Sequence, residues 1–209
     1  MEKLVEAGGL SIRVEVPPCV YPPEEDSETA VEALALLRDR GVQADSVLDI
    51  GTGTGILALA SWLLWRPPIL AATDISPFAV AAARRNLAGT GGLVARCFLA
   101  SCFRPWWDVV VGNPPYLPVM DRFEDECRRF EALSWGWPGM VESFCLEAVR
   151  LARRGVVLVF SSLSGFNVLE CLENHGFRIV GISDRRFFME RVMAVAAVRS
   201  GGLMRVGQA

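Results

Sequence analysis

Four consecutive residues, Asn113-Pro114-Pro115-Tyr116, follow the β-branched run 109–111 in the stretch VVVGNPPYLP and pose the first chemical question. Proline has no N–H and a fixed φ, and the residue before a proline is driven to extended geometry, so this loop is stiff, poor in donors and rich in acceptors. If the valines form a buried parallel strand, the loop leaves its carboxyl end, where open α/β sheets place their ligands. A proline-rich strand exit without chemistry is the competing explanation, and these residues alone do not separate the two.

A second group stands upstream. VLDIGTGTG (47–55) reads as a buried strand running into Gly51, Gly53 and Gly55, which let the backbone turn tightly and approach a ligand before a helix starts. The third glycine comes one residue too early for a dinucleotide fingerprint, and the Lys-Ser/Thr of a phosphate-binding loop is missing, so a diphosphate ligand is not favoured. The next strand ends in TDISP, which puts Asp74 at its carboxyl edge beside the glycine turn, where a carboxylate can accept both hydroxyls of a ribose. The alternative for Asp74 is to cap the helix that Pro77 begins, but Ser76 fits that cap better. A ribose-bearing ligand without a pyrophosphate points to S-adenosylmethionine.

These groups need a frame that brings strand ends together. Apolar runs alternate with helix-like segments: strands are expected at 46–50, 69–74, 93–98, 108–111 and 156–160, and helices near 27–40, 55–65, 77–88, 140–153 and 165–174. The stretch 176–199 reads as two strands joined by a short charged turn, which implies one antiparallel strand. The expected fold is a Rossmann-like α/β domain over 1–199, with a seven-stranded, mostly parallel sheet and helices on both faces. Residues 117–139, rich in charges and aromatics including Trp135 and Trp137, read as a substrate-side insertion, and 200–209 as a flexible tail.

Composition bounds the partners. With 209 residues, 52% hydrophobic and 22% charged, the chain can build a substantial core, and a net charge of −3 gives no global basic excess of the kind nucleic-acid binders show. The six cysteines (Cys19, Cys97, Cys102, Cys127, Cys145, Cys171) form no CxxC pair and read as reduced core residues of a cytoplasmic protein. His175 is the single histidine, which leaves little material for a metal site or a Ser-His-Asp triad; it reads as a helix-end residue. No export or membrane-spanning segment is expected, since the apolar run 56–65 is too short to cross a bilayer.

In the order VLDIGTGTG, TDISP, NPPY the chain resembles the class I methyltransferases, and specifically the HemK-like protein-glutamine methyltransferases. VYPPEEDS (20–27) is similar to the Val-Tyr-x-Pro-x-Glu-Asp-Thr segment of the family's short eukaryotic and archaeal branch, with Tyr21, Pro23, Glu25 and Asp26 matching and Ser27 replacing threonine. The resemblance implies S-adenosylmethionine as cofactor, S-adenosylhomocysteine as product, and no metal. It places Tyr21, Ser27, Asp49, Gly51 and Gly53 around the cofactor and Asp74 on the ribose. Ser101 and Cys102 stand where the family usually carries an aspartate toward the adenine amino group. The Gly-Gly pattern common after the insertion is altered to WGWPG.

The resemblance also explains the loop's composition. A glutamine amide nitrogen is a poor nucleophile, so positioning must do most of the work. The Asn113 side-chain oxygen and the Pro114 carbonyl would accept the two amide protons, with Pro115 stiffening the loop and the Tyr116 ring walling the planar group. The implied substrate is the Gly-Gly-Gln loop of a class I translation release factor. A small zinc-binding activator protein is expected to dock on the edge strand near Leu93–Phe98. The same loop would accept the exocyclic amine of adenine, so adenine-N6 methylation of DNA or RNA is the alternative, with lysine methylation and a non-catalytic scaffold behind it.

Overall fold

Successive residues of the central strands face two different cores, as a sheet covered on both sides requires. Val47, Val109, Val111, Val157 and Val159 pack into one, whereas Leu48, Ile50, Val110, Val156, Leu158 and Phe160 pack into the other. The structure is a computed structural model that describes residues 1–116 and 139–201. In chain order the elements are β1 (Glu2–Ala7), β2 (Leu10–Glu15), α1 (Glu25–Asp39), β3 (Ser46–Ile50), α2 (Ile56–Trp65), β4 (Ile69–Asp74) and α3 (Pro77–Asn86). They continue with β5 (Leu93–Arg96), β6 (Trp107–Gly112), α4 (Met140–Leu151), β7 (Ala152–Ser161), α5 (Val168–Asn174), β8 (Phe177–Arg186) and β9 (Arg191–Arg199).

Seven strands form one sheet in the order β5-β4-β3-β6-β7-β9-β8. Pairings from β5 to β7 are parallel, and β9 runs antiparallel to both β7 and β8. The core on one face takes residues of α1, α2 and α3, and that on the other takes α4 and α5. This is the expected architecture: seven strands, mostly parallel, one antiparallel, covered on both sides. Chain order reverses between β3 and β6, so the loops after β3, β4 and β6 converge at the carboxyl edge where such sheets open a crevice.

Several elements depart from expectation. The first residues form a two-stranded hairpin, β1–β2, turned at Gly8-Gly9. Val5, Ala7, Ile12 and Val14 are its buried face. A Cβ on Gly8 would lie 2.9 Å from the Val31 carbonyl oxygen, so this turn lies tightly on α1. Strand β7 begins at Ala152, directly after α4, and its Arg153 and Arg154 reach the buried Asp108 carboxylate at 3.8 and 3.2 Å. Strand β5 ends at Arg96, so Cys97 and Phe98 belong to the loop beyond it.

The cysteines require a correction. Cys97 is bonded to Cys102 and Cys145 to Cys171, so these four are disulfides rather than reduced core residues. The turn after β5 doubles back and α4 packs beside α5, juxtapositions that sequence spacing does not reveal. His175 does close a helix end: it is the C-cap of α5, with Nδ1 2.8 Å from the Cys171 carbonyl oxygen. Of the expected insertion, only Gly139 is described; 117–138, with Trp135 and Trp137, and 202–209 of the expected tail lie outside the described residues. Among the described residues no helix is long and apolar enough to cross a membrane.

Candidate active site

The loop after β3 turns through left-handed backbone at Gly51 (φ +68°) and Gly53 (φ +56°) before α2 starts behind Gly55. A Cβ on Gly51 would sit 2.9 Å from Phe144 Cζ, so only glycine allows α4 to close against this loop. A Cβ on Gly53 would meet nothing within 4 Å, and Gly53 lines the cavity. Substituting it would fill space that a ligand can use.

Two carboxylates hold the loop. Asp49 is fully buried beneath it; its Oδ2 accepts from Thr52 Oγ1 at 2.6 Å and from the Ala58 N–H at 3.0 Å, while Oδ1 is buried without a partner among the described residues. Burial pushes this carboxyl up to about 7, the two hydrogen bonds oppose the rise, and the Asp74 charge adds to it. Asp74, at the end of β4, accepts the Gly53 N–H on Oδ2 and the Ser76 N–H on Oδ1, both at 2.9 Å. Burial also raises Asp74 above the usual carboxylate range, against bonds from Ser76, Gly53 and Ile75. Ser76, not Asp74, caps α3, accepting the Ala79 N–H at 3.4 Å.

Across the cavity stands the loop after β6. Asn113 Nδ2 donates to Asp26 Oδ2 at 2.9 Å, and Asn113 Oδ1 is buried with no partner among the described residues. Asp26 lies in the first turn of α1, where its Oδ1 accepts from the Ser27 N–H at 2.6 Å and from Ser27 Oγ at 3.2 Å. Tyr116 shares the cavity wall with Asp26; its phenol is pushed well above the usual range by burial first, then by the charges of Asp26 and Glu190. Tyr21 is raised likewise, by burial and then by Asp26 and Glu24, and its hydroxyl donates to Glu24 at 3.0 Å. The wall is therefore acceptor-rich.

One cavity brings together Tyr21, Ser27, Gly51, Gly53, Asp74, Asn113, Pro114, Pro115 and Tyr116. Asp49 lies beneath the glycine loop rather than on the cavity wall. Ser101 and Cys102 are exposed and also lie off the wall, because the disulfide-closed turn presents Cys97, Phe98 and Leu99 there instead. The sequence reading missed Phe98, Leu99, Met140 and Phe144, whose apolar types carry no signal of their own, and gave no role to Asp26 although it lies in the VYPPEEDS match.

A family model described as ribosomal protein L11 methyltransferase (PrmA) matches residues 26–113. A release factor glutamine methyltransferase of Deinococcus radiodurans is 39% identical over 121 residues, covering 56% of this chain and 42% of that protein. One of Rhodospirillum rubrum is 39% identical over 151 residues, covering 66% and 45%. The chain thus spans under half the length of these relatives. Among solved structures, the E. cuniculi Mtq2–Trm112 complex, described as responsible for methylation of the eRF1 translation termination factor, aligns with a TM-score of 0.62 at 26% identity, covering 87% of this chain and 99% of that one. The fold is that of the Rossmann-like class I methyltransferases, and the chain is similar in sequence both to release factor glutamine methyltransferases and, over residues 26–113, to the ribosomal protein L11 methyltransferase family model.

Proposed function

We propose that the protein transfers a methyl group from S-adenosylmethionine to the side-chain amide nitrogen of a glutamine in the Gly-Gly-Gln loop of a class I translation release factor. The observation that carries this reading is Asn113 Oδ1: a buried acceptor with no partner among the described residues, belonging to a side chain on the wall of the cavity that Asp74 and Gly53 also line. A buried acceptor left unpaired is costly unless a ligand completes it. The N–H₂ of a primary amide supplies the missing donor.

The residues present fit the cofactor. The open face of Gly53 would take its backbone-hugging portion, Asp74 its ribose hydroxyls, and Ser27 and Tyr21 the amino-acid end, with Phe98 and Leu99 as an apolar wall for the base. When bound, S-adenosylmethionine supplies an electrophilic sulfonium methyl and leaves as S-adenosylhomocysteine. Asn113 Oδ1 and the Pro114 carbonyl hold the two amide protons of the acceptor and so fix where its nitrogen points. Positive charge develops on that nitrogen, and both acceptors present negative dipole ends to it. A glutamine between glycines sits on unencumbered backbone, which suits a narrow slot.

The partner reading rests on β5, which is the edge strand, with Leu93 and Phe98 both more than half exposed and Ile69 and Ile75 exposed nearby. Such an edge invites extension of the sheet by another chain. The solved neighbour is itself a complex with Trm112, which supports a partner protein; that this partner is a small zinc-binding activator and docks at Leu93–Phe98 is part of the proposal. The reading is tested by incubating the enzyme and activator with labelled S-adenosylmethionine and, separately, release factor, a glutamine-to-asparagine release factor, DNA and RNA. Label on the wild-type factor alone supports it. Label on nucleic acid but not on the factor replaces it with adenine methylation.

A further inference from the structure

We infer that Asp26 is a positioning residue that fixes which end of the Asn113 amide faces the substrate. The inference rests on the proposed reaction. Asn113 is a strand-exit residue whose side chain can be turned over, exchanging an acceptor for a donor at nearly the same place. A carboxylate can only accept, so Asp26 Oδ2 at 2.9 Å compels Asn113 Nδ2 to face α1 and leaves Oδ1, unpartnered among the described residues, as the acceptor that this cavity-lining side chain can offer a substrate. Asp26 cannot yield, because its other oxygen is held by the Ser27 N–H and Oγ, and the residue is buried to 7% exposure in the first turn of α1. Asp26 thus tethers the start of the Asn113–Tyr116 loop to α1 across 87 residues of chain.

The chemistry predicts an unusual order of variants. In Asp26→Asn the new amide must keep its oxygen toward the Ser27 N–H, because a donor there would oppose a donor. Its N–H₂ then faces Asn113, which turns over to accept and presents its own N–H₂ to the substrate. In Asp26→Ala no partner remains, and Asn113 is free to sample both orientations. The isosteric variant is therefore the more damaging: kcat falls on the order of 100-fold in Asp26→Asn, as when an oriented polar group at a reacting centre is lost, and about tenfold in Asp26→Ala. A merely structural role gives the reverse order, since alanine leaves the larger defect.

The experiment measures kcat and KM of both variants on whichever acceptor the wild type labels, alone and in an Asn113→Ala background, with thermal melting as a check on folding. It also follows solvent exchange of the Asn113 side-chain amide protons by NMR in cofactor-free protein. The expected results are wild type above Asp26→Ala above Asp26→Asn in kcat, no further loss from either variant once Asn113 is alanine, and exchange about tenfold faster in Asp26→Ala. Variants within threefold of wild type, the reverse order, losses that multiply with Asn113→Ala, or unchanged exchange overturn the assignment. A wild-type enzyme that ignores the release factor refutes the proposed function instead, and the exchange measurement then still decides the role of Asp26.

Discussion

The Gly53 N–H donates to Asp74 Oδ2 at 2.9 Å, so the glycine loop after β3 is fastened to the carboxyl end of β4 by the same side chain assigned to the ribose. The Ser76 N–H occupies the other oxygen. Asp74→Ala strips two backbone donors of their acceptor and removes the ribose partner together. Calorimetry should show cofactor affinity down at least tenfold, and stability should fall by about 2 to 4 kcal/mol. Unchanged affinity would sink the ribose assignment.

Gly51→Ala forces a left-handed alanine whose Cβ would lie 2.9 Å from Phe144 Cζ. The combined backbone and overpacking penalty is about 2 to 4 kcal/mol. Adding Phe144→Leu should return part of that loss, leaving only the backbone portion. Denaturant unfolding of the single and double variants reads this directly, and strictly additive losses would deny the contact.

Asp49 sets a pH dependence of stability with a definite sign. Its folded value is raised from 3.8 to about 7, so the folded protein keeps a proton that the unfolded chain releases. The stability this group contributes is therefore full below about pH 4 and is lost as pH climbs toward 7, with Asp74, also raised by burial, acting in the same direction. Asp49→Asn can keep both hydrogen bonds on one oxygen, since Thr52 and Ala58 share Oδ2. The variant should flatten this slope in melts between pH 4 and 8; an unchanged slope places the titration elsewhere.

The Cys145–Cys171 bond closes 26 residues and joins α4 to α5. A loop of that length contributes about 3 to 4 kcal/mol in the chain-entropy account. Thiol titration of the unfolded protein without reductant should find these sulfurs unreactive, and reductant should lower the melting temperature. Two reactive thiols at Cys145 and Cys171 in freshly isolated protein would contradict the pairing.

Leu93→Glu places a charge on the exposed first residue of edge strand β5, which does not itself line the cavity. It should abolish co-purification with the activator while leaving cofactor affinity within about twofold of wild type, since buried charge at an interface core is strongly disfavoured. Retained co-purification would move the docking surface away from β5.

Much of the fold was legible because its strands are buried on both faces. Ser46–Ile50, Ile69–Asp74 and Trp107–Gly112 write themselves as apolar runs, and a glycine, an aspartate or an asparagine marks each exit. Side-chain type at those exits carries chemistry locally, so Gly51, Gly53, Asp74 and Asn113 could be singled out without coordinates. The β1–β2 hairpin had a readable signal too, alternation around Gly8-Gly9, which the acidic opening obscured. What only the tertiary structure decided are relationships between distant segments. Cys97 meets Cys102 through the path of a turn, which puts Phe98 and Leu99 rather than Ser101 on the cavity wall. Asp26 meets Asn113 because α1 packs its first turn against the end of β6, 87 residues later in the chain. The sequence determined that an asparagine stands at this strand exit, but the orientation of its amide depends on a carboxylate that folding alone brings within hydrogen-bonding distance.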